Sequence, residues 1–321
     1  MGVGVALSVF LLLGGFYLIV KGGDFLVRSA LQLSRRSGIS TVIVGATFVS
    51  LATTLPEIAI SIYAILTQHQ AIAVGNAIGG MLVSLAVIFA LYAVISPQRV
   101  EKGQLLIKSL FLFFSITLVV IFSLNGRISM FGGFALGLIY FFYLIITARS
   151  APKEKKELIP PEEQVSKKQI WGGFLLGQVL LLFGAFLLVQ NSESLALRLG
   201  ISETVVGFTL IAIGTSMPEF VTVFKSIKQK SGGLAIGNII GSNIINATLL
   251  LGISAIVGAL HGSALFITPH TLFVAIPILI IASLVALVPL LVKGRIYRLQ
   301  GIALLVLYAL YIIYLIAAKP G

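Results

Sequence analysis

Long apolar stretches recur along this whole chain, and each is long enough to cross a hydrocarbon layer about 30 Å thick. No water reaches the backbone inside such a layer. Every N–H and C=O must then be bonded within the chain, which leaves helices or a closed barrel. The alternating pattern of a barrel is missing, so the segments are expected to be helices of an all-α polytopic membrane protein. Ten are predicted, over 5–34, 41–66, 71–95, 104–124, 128–148, 169–198, 203–226, 233–260, 268–292 and 299–317. Charged residues make up only 10% of the chain against 58% hydrophobic, whereas soluble chains carry about a quarter charged residues. The opening stretch, Met1 to Val20, has no basic leader and no small-residue cleavage site, and reads as part of a first spanning helix.

The basic residues set the expected orientation. Placing the N-terminus outside puts 17 of the 22 on cytoplasmic connections: Arg35, Arg36, Arg99, Lys102, Lys108, Arg149, Lys153, Lys155, Lys156, Lys167, Lys168, Lys225, Lys228, Lys230, Lys293, Arg295 and Arg298. The positive-inside rule then predicts that both termini are extracellular. It also explains the net charge of +12 without invoking nucleic acid. The one long polar connection, 149–168, holds Pro152, Pro160, Pro161 and mixed charges, and is predicted to be a cytoplasmic linker. It divides the chain into a first five-helix unit, 1–148, and a second, 169–321.

The two units are copies. Gly38-Ile39-Ser40 returns as Gly200-Ile201-Ser202, and Val44-Gly45-Ala46-Thr47 as Val206-Gly207-Phe208-Thr209. Thr53-Thr54-Leu55-Pro56-Glu57 returns as Thr215-Ser216-Met217-Pro218-Glu219, and Gly75-Asn76-Ala77-Ile78-Gly79 as Gly237-Asn238-Ile239-Ile240-Gly241. Every match has the same offset of 162 residues. An odd number of helices per copy makes the second enter the membrane from the opposite side. The predicted fold is therefore ten transmembrane helices as two inverted five-helix repeats, an architecture of secondary transporters.

Glu57 and Glu219 carry the chemistry. Each falls in the middle of an apolar segment, where an acidic side chain costs at least roughly 2.5 kcal/mol. A carboxyl kept protonated, or paired with Lys21 or Arg28, is the plain alternative. Two symmetry-related acids without an obvious basic partner favour a cation site instead. Pro56 and Pro218 remove a backbone donor beside each acid, and Thr53, Thr54, Thr215 and Ser216 share the same turns. Carbonyl and hydroxyl oxygens beside two carboxylates suit calcium, which takes six to eight oxygens. Asn76 and Asn238 are buried amides that need partners, and a neighbouring broken helix has spare carbonyls. The glycines beside them read as close helix packing. Ser84 and Asn246, again 162 apart, add oxygens to the site or bond between helices. Asp24 and Arg28 read as an i, i+4 pair, and Glu193 lies near the polar end of its segment. His69, His261 and His270 are expected in outer loops.

Cysteine is absent, which excludes disulfides and thiol chemistry. No nucleotide-binding glycine loop and no serine–histidine arrangement is present, so the chain is not read as an enzyme. No cofactor is expected. The partners are inorganic cations (Ca2+, with Na+ or H+) and the lipid bilayer. The oligomeric state stays open, and a monomer is compatible with the pattern.

The two motifs, Gly45-Ala46-Thr47 with Thr53 to Glu57 and Gly207-Phe208-Thr209 with Gly214 to Glu219, resemble the paired alpha repeats of the calcium/cation antiporter superfamily, in its prokaryotic sodium/calcium exchanger branch. The resemblance implies exchange of Ca2+ for Na+ by alternating access, in a prokaryotic cell membrane. It implies a core of segments two, three, seven and eight, with the first and sixth sliding across it. Carried over, Glu57 and Glu219 ligate calcium. Thr53, Thr54, Thr215, Ser216 and Ser242 supply oxygens for sodium, as do the carbonyls of Ser50 and Ala212. The chain departs from the family pattern at Gly80, where a serine is usual, at Ser84, where an amide or acid is usual, and at Asn246, where many relatives carry aspartate. Two carboxylates balance one calcium ion or two monovalent ions, so the departures predict altered sodium coordination and a less electrogenic exchange. The alternatives are an H+/Ca2+ exchanger of the same fold and a cation channel. A channel usually arranges its filter around an axis of several subunits, which an inverted repeat within one chain does not favour.

Overall fold

The computed structural model describes residues 2–100, 102–149, 165–198, 205 and 207–318. Most of the predicted linker, Gly200-Ile201-Ser202, Val206 and Lys319 lie outside the described residues, as do the side chains of Glu193 and Arg198. The described chain is almost wholly helical. We label the helices α1 (Gly2–Ser37), α2 (Thr41–Leu66), α3 (Gln70–Ile95), α4 (Lys102–Ser123), α5 (Met130–Arg149), α6 (Lys167–Arg198), α7 (Gly207–Ile211, Ala212–Thr215 and Met217–Lys228), α8 (Gly232–Leu260), α9 (Thr271–Lys293) and α10 (Arg298–Ala318). Among the described residues, eight of them, all but α1 and α7, are long and apolar enough to cross a membrane. Large apolar side chains face outward on the peripheral helices. Phe131, Phe134, Leu138 and Phe141 do so on α5, and Leu299, Ile302, Val306, Leu310 and Ile313 on α10. In water such belts would aggregate, whereas hydrocarbon solvates them.

Helices α2, α3, α7 and α8 form the centre, and they pack across the two halves. A Cβ on Gly241 of α8 would lie 2.6 Å from the Ala46 carbonyl of α2. In the equivalent contact, a Cβ on Gly79 of α3 would lie 3.0 Å from Phe208 Cα of α7. Both glycines sit where two backbones meet, as the sequence reading expected. Helices α1 and α6 pack on one another just as closely: a Cβ on Gly22 would lie 2.8 Å from the Gly177 carbonyl, and one on Gly177 2.9 Å from that of Gly22. Around them a second apolar cluster forms, with Ile19, Leu26, Val27, Leu181 and Ala185, separate from the main core of the central and outer helices.

Two short backbone pairings join the connecting loops at opposite ends of α4. Arg127–Ile128 pairs antiparallel with Leu265–Phe266, and Arg99 bridges to Arg295.

Several sequence expectations need correction. Asp24 does not pair with Arg28. Its carboxylate lies 2.7 Å from Lys225 Nζ on α7, because α1 packs against α7 and brings the lysine closer than the next helical turn does. Lys108, assigned to a connection, is 3% exposed within α4. His270 is not in an open loop. It immediately precedes α9, is 7% exposed, and packs with its ring centroid 5.1 Å from Phe208 and 6.0 Å from Tyr311. Lys167 and Lys168, at the end of the predicted linker, are the first two residues of α6.

Candidate ion site

Pro56 leaves α2 without an N–H for the carbonyl one turn back, yet the helix Ser50–Leu66 runs through it without a break. The irregular turn lies earlier, at Gly45–Val49, where the backbone widens to i→i+5 bonding. The Ala46 carbonyl in that turn accepts from the Tyr143 hydroxyl of α5 at 2.9 Å. In α7 the equivalent wide turn, Gly207–Ile211, is followed by a real interruption at Ser216, and Pro218 starts the next stretch. The expectation of a broken turn beside each acid therefore holds at Glu219. At Glu57 the helix is widened two turns upstream instead. A proline leaves a recognisable residue, but a wide turn is set by packing against α8 and carries no residue signature.

The folding of α2 against α7, and of α3 against α8, brings the predicted residues together. Glu57, Thr53, Thr54, Ser50, Thr215, Ser216, Glu219, Ala212, Ser84, Ser242 and Asn246 are all buried, at 0% or 1% exposure. Glu57 and Glu219 are thus buried at the same centre, one from each half, with Thr54 of the first acid's turn beside the second acid. Both oxygens of Glu57 and Oε2 of Glu219 lack a hydrogen-bond partner among the described residues, as does Ser216 Oγ. Oε1 of Glu219 faces the Thr54 hydroxyl at 3.2 Å. That hydroxyl shares its one proton with the Ser50 carbonyl, 2.7 Å away. The Ala212 carbonyl likewise accepts from the Ser216 amide and lies 3.3 Å from Thr215 Oγ1. Each carbonyl keeps a second lone pair.

Ser84 and Ser242 approach to 3.5 Å across the halves, and Asn243 Nδ2 donates to Ser84 at 2.9 Å. Among the described residues neither amide atom of Asn246 has a partner, and a Cβ added to Gly80 would lie 3.2 Å from Asn246 Nδ2. The missing side chain at Gly80 thus leaves the space that Asn246 enters. Buried polar atoms without partners are costly, and their concentration around two facing acids is what a cation-binding cavity requires. Among the described residues no Lys or Arg reaches either glutamate by an ion pair: Lys21 lies over the Tyr17 ring, and Arg28 is exposed.

Two further bonds repeat under the internal symmetry. Thr215 Oγ1 lies 2.9 Å from Asn76 Oδ1, and Thr53 Oγ1 lies 3.1 Å from Asn238 Oδ1. Asn76 finds partners at both ends of its amide, one a carbonyl of the neighbouring helix: Asn76 Nδ2 donates to Glu57 O at 3.0 Å, whereas among the described residues only the oxygen of Asn238 is partnered. Sequence reasoning missed Ser61, which also accepts from Asn76 Nδ2, and Tyr143. A serine one turn after a buried acid was the available signal for the first.

The family model described as "Sodium/calcium exchanger protein" matches residues 7–149 and 169–317. A sodium/calcium exchanger of Methanosarcina acetivorans is 29% identical over 97% of this chain and 99% of its own length. An uncharacterised membrane protein of Methanocaldococcus jannaschii is 33% identical over 96% of both chains. Among solved structures, one of the sodium-calcium exchanger NCX_Mj, soaked with Na+ and Sr2+, superposes with a TM-score of 0.80 at 33% identity, over 96% of this chain and 99% of the other.

Proposed function

This chain belongs to the sodium/calcium exchanger family, and we propose that it is a secondary antiporter that moves Ca2+ against Na+ across a membrane by alternating access. The observation that carries this is the pair Glu57 and Glu219, one from each half, both buried and with three of their four oxygens lacking a hydrogen-bond partner among the described residues. An ion entering there replaces the partners that these oxygens lack. Calcium accepts the two carboxylates together with flexible oxygen neighbours. The hydroxyls of Thr53, Thr54, Thr215, Ser216 and Ser242 and the carbonyls of Ser50 and Ala212 complete the shell for sodium. Ser84 and Asn246 border it. These residues are cargo ligands, and no resident cofactor takes part.

In this reading α1 and α7 also cross the membrane, giving ten spans as two inverted five-helix repeats, 1–148 and 169–321, around a cytoplasmic linker at 149–168. The family match over two stretches of nearly equal length supports it, as do the symmetry-related bonds Thr53–Asn238 and Thr215–Asn76. The distribution of basic residues supports extracellular termini and a place in the cell membrane. One polypeptide holds both halves of the site, so a monomer is sufficient.

The test is calcium-45 uptake into proteoliposomes loaded with sodium, potassium or only a proton gradient. Sodium-dependent uptake that Glu57→Gln and Glu219→Gln abolish is the expected result. Uptake driven by protons alone would move the protein to proton coupling, and current through single channels would overturn alternating access.

A further inference from the structure

The two acids are held differently, and the difference is legible atom by atom. Asn76 Nδ2 donates to the Glu57 carbonyl at 3.0 Å and to Ser61 Oγ at 2.9 Å, while its Oδ1 faces the Thr215 hydroxyl at 2.9 Å. The Glu57 carbonyl can only accept, which fixes the orientation of this amide. All three groups around it are buried, so the backbone that carries Glu57 is pinned from α3. The symmetry-related amide is Asn238. Its Oδ1 faces Thr53, but its Nδ2 has no partner among the described residues, and Val223 stands where the first half has Ser61. Turning this amide over merely exchanges which end is unpaired. The carboxylates show the converse. Glu57 has both oxygens free, whereas Glu219 Oε1 rests on the Thr54 hydroxyl. One acid has a fixed backbone and an uncommitted head; the other has an unclamped backbone and a head docked on the opposite half.

We propose that Asn76 and Ser61 are positioning residues that make Glu57 the stationary ligand, and that Glu219 is the ligand that moves, leaving Thr54 when the cation enters. The inference rests on the exchange reading above and divides its labour between the two halves. A stationary ligand sets affinity, because its geometry is prepared before the ion arrives. A moving ligand sets the rate at which the site closes and opens.

The experiment compares Ser61→Ala with Val223→Thr in sodium-driven calcium uptake. Ser61→Ala removes one arm of the clamp, and Val223→Thr places a hydroxyl beside the unpaired amide of Asn238 with little change in shape. Ser61→Ala is expected to raise the calcium concentration for half-maximal uptake about two- to tenfold, the range set by one hydrogen bond, with the maximal rate within about twofold of wild type. Val223→Thr is expected to lower the maximal rate at least about twofold without raising the half-saturating concentration, because it stiffens the moving half. A purely structural role would instead lower the amount of folded protein and leave both constants per folded molecule unchanged. That result, or a fall in rate without a change in half-saturation for Ser61→Ala, overturns the proposal. Should Ser61→Ala fail to fold, Val223→Thr alone decides. Should the wild-type protein bind calcium without exchanging it, exchange fails as the function, and calcium dissociation constants of Ser61→Ala and Val223→Thr still test the positioning: weaker in the first and not in the second, or else overturned.

Discussion

The hydroxyl of Thr54 lies 3.2 Å from Oε1 of Glu219, so the turn that carries the first acid supplies a partner to the second. Ser216, its equivalent in the second half, makes no such bond to Glu57. The two halves share the Thr53–Asn238 and Thr215–Asn76 bonds and differ at this one.

Thr54→Val keeps the shape of this side chain and removes its oxygen. Glu219 then loses the hydroxyl that lies 3.2 Å from its Oε1, and a sodium ion loses a ligand. The sodium concentration for half-maximal exchange is expected to rise severalfold, about 1 kcal/mol for one hydrogen bond or oxygen contact. Ser216→Ala, whose hydroxyl is unpartnered before the ion binds, is expected to leave thermal stability without sodium unchanged. Sodium titration of uptake and of thermal unfolding measures both.

The contact of α1 with α6 depends on backbones that touch. A Cβ on Gly177 would lie 2.9 Å from both the Gly22 carbonyl and the Leu26 amide, atoms that cannot turn aside. Gly177→Ala is expected to force the two helices apart, costing about 1–3 kcal/mol as overpacking does. Thermal unfolding in detergent shows this as a lowered midpoint. Gly172→Ala, where nothing lies near the added carbon, is the control and should leave the midpoint unchanged.

Much of this arrangement was legible in the sequence. The 162-residue offset identified which residues of the two halves are equivalent, and Thr54 in the first acid's turn does reach the second acid. Apolar length alone placed α2 at its observed bounds. Equivalence does not reveal contact, however. That Thr53 bonds Asn238 and not Asn76 follows from which helices cross at the centre, and no residue pattern states this. The pairing of Asp24 with Lys225 was hidden for the same reason: the partners lie on different helices, and local spacing offered Arg28 instead. His270 was expected in an outer loop because it falls at the start of its apolar segment, whereas the pairing of Leu265–Phe266 with Arg127–Ile128 holds the preceding connection against the protein and the His270 ring packs on Phe208.

The Asp24–Lys225 pair is short, but both side chains are about a quarter exposed. Such pairs contribute little and are screened by salt. A double-mutant cycle with Asp24→Asn and Lys225→Met is expected to give a coupling below about 1 kcal/mol in thermal or denaturant unfolding, falling further at high ionic strength.

Gly80 and Asn246 bear on stoichiometry. With two carboxylates and a neutral amide filling the space beside Gly80, the site balances one calcium ion or two sodium ions. Sodium activation is expected to show a Hill slope below three, with weak dependence of uptake on membrane potential. Asn246→Asp adds a third carboxylate and is expected to increase that dependence. Uptake measured at potentials clamped by potassium and valinomycin reads the change; a wild-type slope of three would remove the charge-balance argument.

The most direct test of the account is calcium binding by isothermal titration to purified wild type, Glu57→Gln and Glu219→Gln without sodium. The account predicts that each single substitution weakens binding at least about tenfold, the loss of a charged contact of roughly 1.5–3 kcal/mol, and that the double variant binds none. Wild-type affinity in either single variant would contradict a shared site formed by both halves.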